Sequence, residues 1–311
     1  MEDFGSDRFE TRSGTSDRAI LEEVVERRTY LKSFILPFIK RNGIIIDIGA
    51  HIGSFTIQSC ALLKPRVVIA IEPDRSSYGY LVRNITKAKL GHLVHPIEMA
   101  IWNSSTETNL CCRRRDPATS SIIPSWRQLV DKIQSRTVSD VSEIYRIRAD
   151  TLDNVLRMLR LGNAKIELIK IDVEGSEEQV LEGSVHALRR CNIIVGELHE
   201  ALLPEDKFRE LMKNFFVVIG EPFTSARVHS FWAVKKTLFR NRATLEEFRR
   251  AAHVADIQDA IWKAEQQEDA MLSLRMQVDA IRSSFSWKMT APIRWLGSRV
   301  LLKRETQTNK E

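Results

Sequence analysis

The residues able to do chemistry sit at the ends of apolar runs. In IIIDIGAHIGSFT, residues 44–56, Asp47 follows three isoleucines and precedes Gly49, His51 and Gly53. Glycine has no Cβ, so Gly49 and Gly53 let the backbone turn sharply and approach a ligand closely. A helix starting near Ser54 would point its unpaired N–H groups at that ligand. Glu72 ends the next apolar run, VVIAIEP, 25 residues after Asp47. A carboxylate there can accept hydrogen bonds from both hydroxyls of a ribose.

The order of these groups bears on the ligand. A dinucleotide turn reads G-x-G-x-x-G, its glycines arranged around a pyrophosphate. Here Asp47 stands in place of the first of those glycines. An acid beside the loop repels phosphate but can receive an ammonium. S-adenosylmethionine has an ammonium, a carboxylate and a sulfonium, and no phosphate, so the loop favours that cofactor over NAD. The plain alternative is a well-packed turn that binds nothing.

A third group lies in IKIDVEGSEEQVLEG, residues 169–183. Lys170 and Asp172 alternate on one face of an expected central strand, and Glu174 and Gly175 follow in the turn. Buried charges on such a strand are costly unless they are paired or used. GELHE, residues 196–200, brings Glu197 and His199 to the end of another strand. Asp172, Glu174 and His199 are candidate bases for removing a proton from an acceptor hydroxyl, with Lys170 tuning its neighbour. Asp172, Glu197 and His199 are also ligand types for a divalent metal, an option without a predicted site.

The elements that must position these residues follow from periodicity. Short, nearly continuous apolar runs at 44–48, 67–73, 94–102, 166–172, 193–198, 215–223 and 230–236 alternate with helical patterns. Such runs mark strands of a parallel sheet covered on both faces, giving a doubly wound α/β domain over 20–240. Residues 20–41 have apolar positions at helical spacing with Pro37 to end or kink the helix. Residues 1–19 are polar and mixed in charge, and are expected to be disordered. The stretch 103–150, rich in Arg, Ser and Pro, has no period and reads as a lid or as a surface excursion. Residues 243–291 contain neither Gly nor Pro and read as a long helix, an imperfect coiled coil able to join copies of the chain.

The order DIGAHIGSFT, AIEPD, TLDN, IKIDVEGSEEQVLEG and GELHE resembles the FkbM-type S-adenosylmethionine-dependent methyltransferases over roughly residues 42–236. The resemblance implies a Rossmann-like class I methyltransferase sheet of seven strands whose last strand, SFWAVKK, runs antiparallel. It implies O-methylation of a hydroxyl on a sugar, polysaccharide or natural product. It assigns Asp47, Gly49 and Gly53 to the methionine moiety, Glu72 to the ribose, and Glu98 and Ala100 to the adenine surroundings, with His51 in the same loop a further cofactor-binding candidate. Asp172 would lie near the transferred methyl, and Thr151, Leu152 and Asp153 would support the site.

Charge and cysteine usage bound the partners. Of the net charge of +6, five units come from Arg282 to Glu311, where seven Lys or Arg face two Glu. The body is nearly neutral, which removes the ground for a nucleic-acid partner. SSFSWKMTAPIRWLG, residues 283–297, is similar to an element found at the ends of long helices in bacterial glycan-assembly proteins. Its Trp, Lys and Arg content suits an anionic membrane surface or an acidic partner. Cys60, Cys111, Cys112 and Cys191 match neither zinc nor disulfide spacing, so reduced thiols in a cytoplasm are expected, with the chain peripheral at the inner face of a membrane. Two rivals keep the fold: a non-catalytic scaffold in a glycan-assembly complex, and an NAD-dependent enzyme.

Overall fold

In the computed structural model, residues 8–254 are described except 114–115, 126–127, 129–140, 221, 223–226 and 240. Contacts divide the chain into Met1–Asp256 and Ile257–Glu311. The greater part of the expected long helix, its coiled-coil seam and the basic tail therefore lie outside the described residues. The four cysteines are buried and free of disulfides. Among the described residues no helix is long and apolar enough to cross a membrane.

Among the described residues ten strands build two sheets: β1 (Ile44–Ile48), β2 (Val67–Ile71), β3 (Val94–Ile97), β4 (Ala100–Ile101), β5 (Thr106–Arg113), β6 (Val141–Asp150), β7 (Ile166–Ile171), β8 (Cys191–His199), β9 (Phe215–Ile219) and β10 (Val228–Lys235). The main sheet has the order β3-β2-β1-β7-β8-β10-β9. Strands β3 to β8 pair in parallel, and β10 runs antiparallel to both neighbours, as expected for SFWAVKK. The strand order reverses between β1 and β7, which opens a crevice at the carboxyl ends of both, where open α/β sheets bind ligands.

Helices cover both faces because strand side chains alternate. Ile44, Ile46 and Ile48 pack with helices α4 (Leu152–Met158), α5 (Glu177–Glu182), α6 (Val185–Arg190) and α7 (Glu205–Leu211). Ile45 packs on the opposite face with α2 (Ser54–Leu63) and α3 (Arg75–Lys87). The helical residues 242–254 close that second face, where Phe248 meets Phe34, Phe38, Phe216 and Phe239. Local signals set the starts: Asp74 caps α3 by accepting the N–H groups of Ser76 and Ser77. Thr151 caps α4, and Asp153 accepts the N–H groups of His186 and Ala187 at the start of α6. Leu152 is buried between these two polar contacts.

Three expectations need correction. Residues 8–19 are placed on the domain: Phe9 packs with Ile52 and Ile57, and Asp17 is fully buried in helix α1 (Asp17–Leu21). The helix expected over 20–41 ends early, since a π-helical turn at Glu22–Glu26 leads to Arg28 with φ of 53°. Within the patternless 103–150 stretch, strands β5 and β6 pair antiparallel and β6 joins β4 in a three-stranded sheet, burying Leu110, Cys112, Ile147 and Ala149.

Gly49 shows how tightly β1 meets β7. Its φ is +78°, and a Cβ there would lie 1.8 Å from the carbonyl oxygen of Asp172. Gly49→Ala is expected to cost about 3 kcal/mol from left-handed strain plus displaced backbone. That corresponds to a fall in Tm of roughly 6–12 °C, read by scanning calorimetry.

Candidate active site

The carboxyl ends of β1, β2, β7 and β8 open into a cavity of about 330 Å³. One end is lined by Gly49, Ala50, His51, Ser54, Glu72 and Ala100. Glu72 is buried, and its two oxygens accept the N–H groups of His51 (2.7 Å) and Asp74 (2.8 Å). Burial, with the Asp74 carboxylate adding to it, pushes Glu72 up to about 7. Ala100, from β4, contributes a wall with Met99 and Ile101. The β5–β6 hairpin and the loop after β5 supply Leu110 and residues 116–120, so the unpatterned stretch forms part of the enclosure.

His51 holds a left-handed backbone, φ 52°, which frees its N–H to reach Glu72. Its Nε2 lies 2.7 Å from Arg12 Nη2 and 3.3 Å from Asp17 Oδ1. Burial would raise Asp17, but the His51 and Arg12 contacts outweigh it and hold the carboxyl below the ordinary range. The N-terminal segment thus locks the turn after β1 from outside.

Asp47 is placed differently from expectation. Alternation along β1 turns it to the α2 face, away from the cavity. There Thr56 donates to Oδ2 at 2.5 Å, and Lys170 Nζ lies 3.5 Å from Oδ1. Asp47 is fully buried and braces the loop rather than lining the site, and Gly53, φ +91°, likewise stands behind it against Leu81.

The other end of the cavity is acidic. Lys170 opposes Asp47 in the β1–β7 register, donates to the carbonyl of Gly49 at 2.6 Å and lies 3.3 Å from Asp172 Oδ2. Burial disfavours the Lys170 charge, but Asp172 and Asp47 overcome this and raise its pKa. Asp172 keeps a quarter of its side chain exposed to the cavity. Glu197 lies beside it, raised well above the usual carboxylate range by burial and then by Asp172, Glu23 and Glu174. Glu174 has φ 52°, so both turns at the switch point, after β1 and after β7, carry left-handed non-glycine residues. Strain of this kind gathers at functional sites.

His199 does not fit the role of a base. Its Nδ1 lies 2.9 Å from Glu177 Oε1 and its Nε2 3.5 Å from Glu174 Oε2. Burial opposes protonation, yet the two carboxylates raise its pKa well above the ordinary value. An imidazolium clamped at both nitrogens orients Glu174 and takes no further proton. Among the described residues no three His, Cys, Asp or Glu are grouped to hold a metal ion, the trio of Asp172, Glu197 and His199 included.

Sequence reasoning missed Tyr30, Glu23, Arg12 and Asp17. Tyr30 occupies an apolar position of a helical pattern, and nothing in its spacing marks a cavity residue. Arg12 and Asp17 sit in a polar segment whose composition carries no fold signal, and Glu23 reads as a polar position of the helical pattern over 20–41.

Residues 47–227 match the model of the methyltransferase FkbM domain. The chain belongs to the FkbM methyltransferase family. Within that match fall β1 to β9 from Asp47 onward, together with Glu72, Lys170, Asp172, Glu174, Glu197 and His199. A hexuronic acid methyltransferase, AglP of Haloferax volcanii, is 24% identical over 172 residues, covering 55% of this chain and 62% of that protein. The methyltransferase sdnD of Sordaria araneosa is 26% identical over 156 residues, 46% of this chain and 60% of that protein. The chain thus spans about 60% of the length of these two relatives. The FkbM methyltransferase structure from Methylobacillus flagellatus KT aligns at a TM-score of 0.42 and 12% identity, over 73% of this chain and 56% of that one. Residues 8–43 and 228–254, outside the matched span, complete the main sheet and one wall of the cavity.

Proposed function

We propose that this FkbM-family methyltransferase uses S-adenosylmethionine to methylate a hydroxyl of a sugar, polysaccharide or natural product. The observation that carries the reading is the convergence of Glu72 and the Gly49–His51 turn with Asp172 and Glu197 in one cavity at the switch point. The donor set fits the cofactor. Glu72 offers carboxylate lone pairs to ribose hydroxyls, and Ala100, Met99, Ile101 and Ile71 form an apolar wall for an adenine. The turn at Gly49 and the start of α2 would hold the amino-acid part. When bound, S-adenosylmethionine supplies a methyl group already activated by a positively charged sulfur.

The chain then has two tasks, aligning the acceptor oxygen and removing its proton. Asp172 is the proposed proton acceptor: it is exposed to the cavity and ionically paired with Lys170. Lys170 is buried, donates to the Gly49 carbonyl and is flanked by Asp47 and Asp172, so it fixes Asp172 rather than meeting the acceptor. Glu174, held by His199, completes the wall. AglP, named for hexuronic acid, supports a carbohydrate acceptor.

The test is transfer of isotopically labelled methyl from S-adenosylmethionine to a panel of glycosides and polyols. Product carrying the label on oxygen, lost by at least 100-fold in Asp172→Asn, is expected for removal of a proton acceptor. Label on nitrogen or carboxylate, or full activity in Asp172→Asn, would overturn the assignment.

A further inference from the structure

The segment preceding β1 puts Tyr30 into the acidic end of the cavity, outside the residues matched to the family. Its hydroxyl lies 3.0 Å from Asp172 Oδ2 and 3.3 Å from Glu197 Oε1. The ring is buried, stands edge-on to Phe55 at 5.8 Å, and has Lys170 Nζ 5.5 Å from its centroid. The backbone carbonyl of Tyr30 accepts the indole N–H of Trp232, so the residue is fixed independently of its hydroxyl.

A phenol has one proton and can donate it to one carboxylate at a time. With both acids ionised, one of them would face the lone pairs of the Tyr30 oxygen across 3.0–3.3 Å. Two carboxylates so close to one group share a proton between them. The surroundings decide which acid keeps it. Asp172 has the Lys170 ammonium at 3.3 Å. Glu197 is pressed by burial and by Asp172, Glu23 and Glu174, which outweigh the His199 imidazolium and the Lys170 ammonium beyond Asp172. Glu197 therefore holds the proton and donates to the Tyr30 oxygen, while Tyr30 donates to ionised Asp172.

We propose that Tyr30 is a positioning residue that links Asp172 and Glu197 into one hydrogen-bonded unit sharing a single proton, which leaves Asp172 ionised and aimed at the acceptor. The proposal rests on the methyltransferase reading of this cavity. The charged groups bearing on the unit are Lys170 and Asp47 from the central strands, Glu174 in the turn after β7, His199 at the end of β8, and Glu23 from the N-terminal segment.

The experiment is carbon-13 NMR of the carboxyl groups in the full chain without cofactor, with the Glu197 signal assigned by Glu197→Gln. In Tyr30→Phe the protonated Glu197 loses the oxygen it donates to, and its titration midpoint is expected to fall by about one pH unit, tenfold in proton affinity. A residue that merely fills space would leave the midpoint where it is. An unchanged or rising midpoint overturns the proposal. Asp172→Asn gives a second reading should Tyr30→Phe fold poorly. Removal of the neighbouring charge must also lower the Glu197 midpoint by about a unit or more, and an unchanged value sinks the shared-proton unit. Failure of S-adenosylhomocysteine to bind would overturn the cofactor reading alone, because the titration needs no cofactor.

Discussion

Glu72→Ala is expected to weaken S-adenosylhomocysteine binding by about 100-fold or more, measured by calorimetry at pH 8. The carboxylate would accept two ribose hydroxyls, and a hydrogen bond to a charged group is worth about 1.5–3 kcal/mol. The loss of about 3 kcal/mol corresponds to a factor of more than 100. The substitution also leaves the N–H groups of His51 and Asp74 without their acceptor, so the turn after β1 loosens. The wild-type protein should show a pH signature of the same group. Glu72 sits at about 7, and only its ionised form accepts from both hydroxyls. Affinity should therefore fall about tenfold between pH 8 and pH 6. The effect on folding has the opposite sign. Because the folded-state value is raised, the contribution of Glu72 to stability is full below the ordinary carboxylate range and is lost as pH rises through about 7. Binding and stability of the free protein should diverge over that window, and Glu72→Gln should flatten both trends.

Lys170→Ala is expected to lower Tm by roughly 6–20 °C. The Lys170 ammonium lies 3.5 Å from Asp47, which is fully buried beneath α2. Removing one partner of a buried ion pair costs about 3–5 kcal/mol, because the remaining charge has lost its compensation. In a domain of this size each kcal/mol moves Tm by roughly 2–4 °C. The Lys170→Met, Asp47→Leu double variant should recover at least half of that loss, since it removes both charges together. A double variant as unstable as the single one would show that the lysine acts through Gly49 and Asp172 instead. Circular dichroism melts of the three proteins decide between these outcomes.

The sheet was legible because a parallel strand buried on both faces must be apolar throughout. IIIDI and IELIKI are buried at every position. The two acids at strand ends and the Lys170–Asp172 pair were legible for the complementary reason, that a charge in such a run has to be used. Which face each charge takes was not. Asp47 and Glu72 end adjacent strands in similar words, yet Thr56 on α2 claims the first while the second meets the cavity. His199 was legible as a residue of the site but not as a clamped cation, since Glu177 and Glu174 reach it only through the fold. Strand β5 lacked a pattern because Thr106, Glu107 and Asn109 are exposed while Leu110 to Arg113 are buried in succession. Tyr30 needed the whole structure, because its partners lie 142 and 167 residues away.

The central claim is that the turn after β1 and the acid after β2 hold S-adenosylmethionine. Calorimetric titration of the full chain at pH 8 with S-adenosylhomocysteine, and separately with NAD, tests it most directly. Saturable binding of S-adenosylhomocysteine at one site per chain, with no heat from NAD, is the predicted result. Binding of NAD, or of neither ligand, would contradict it.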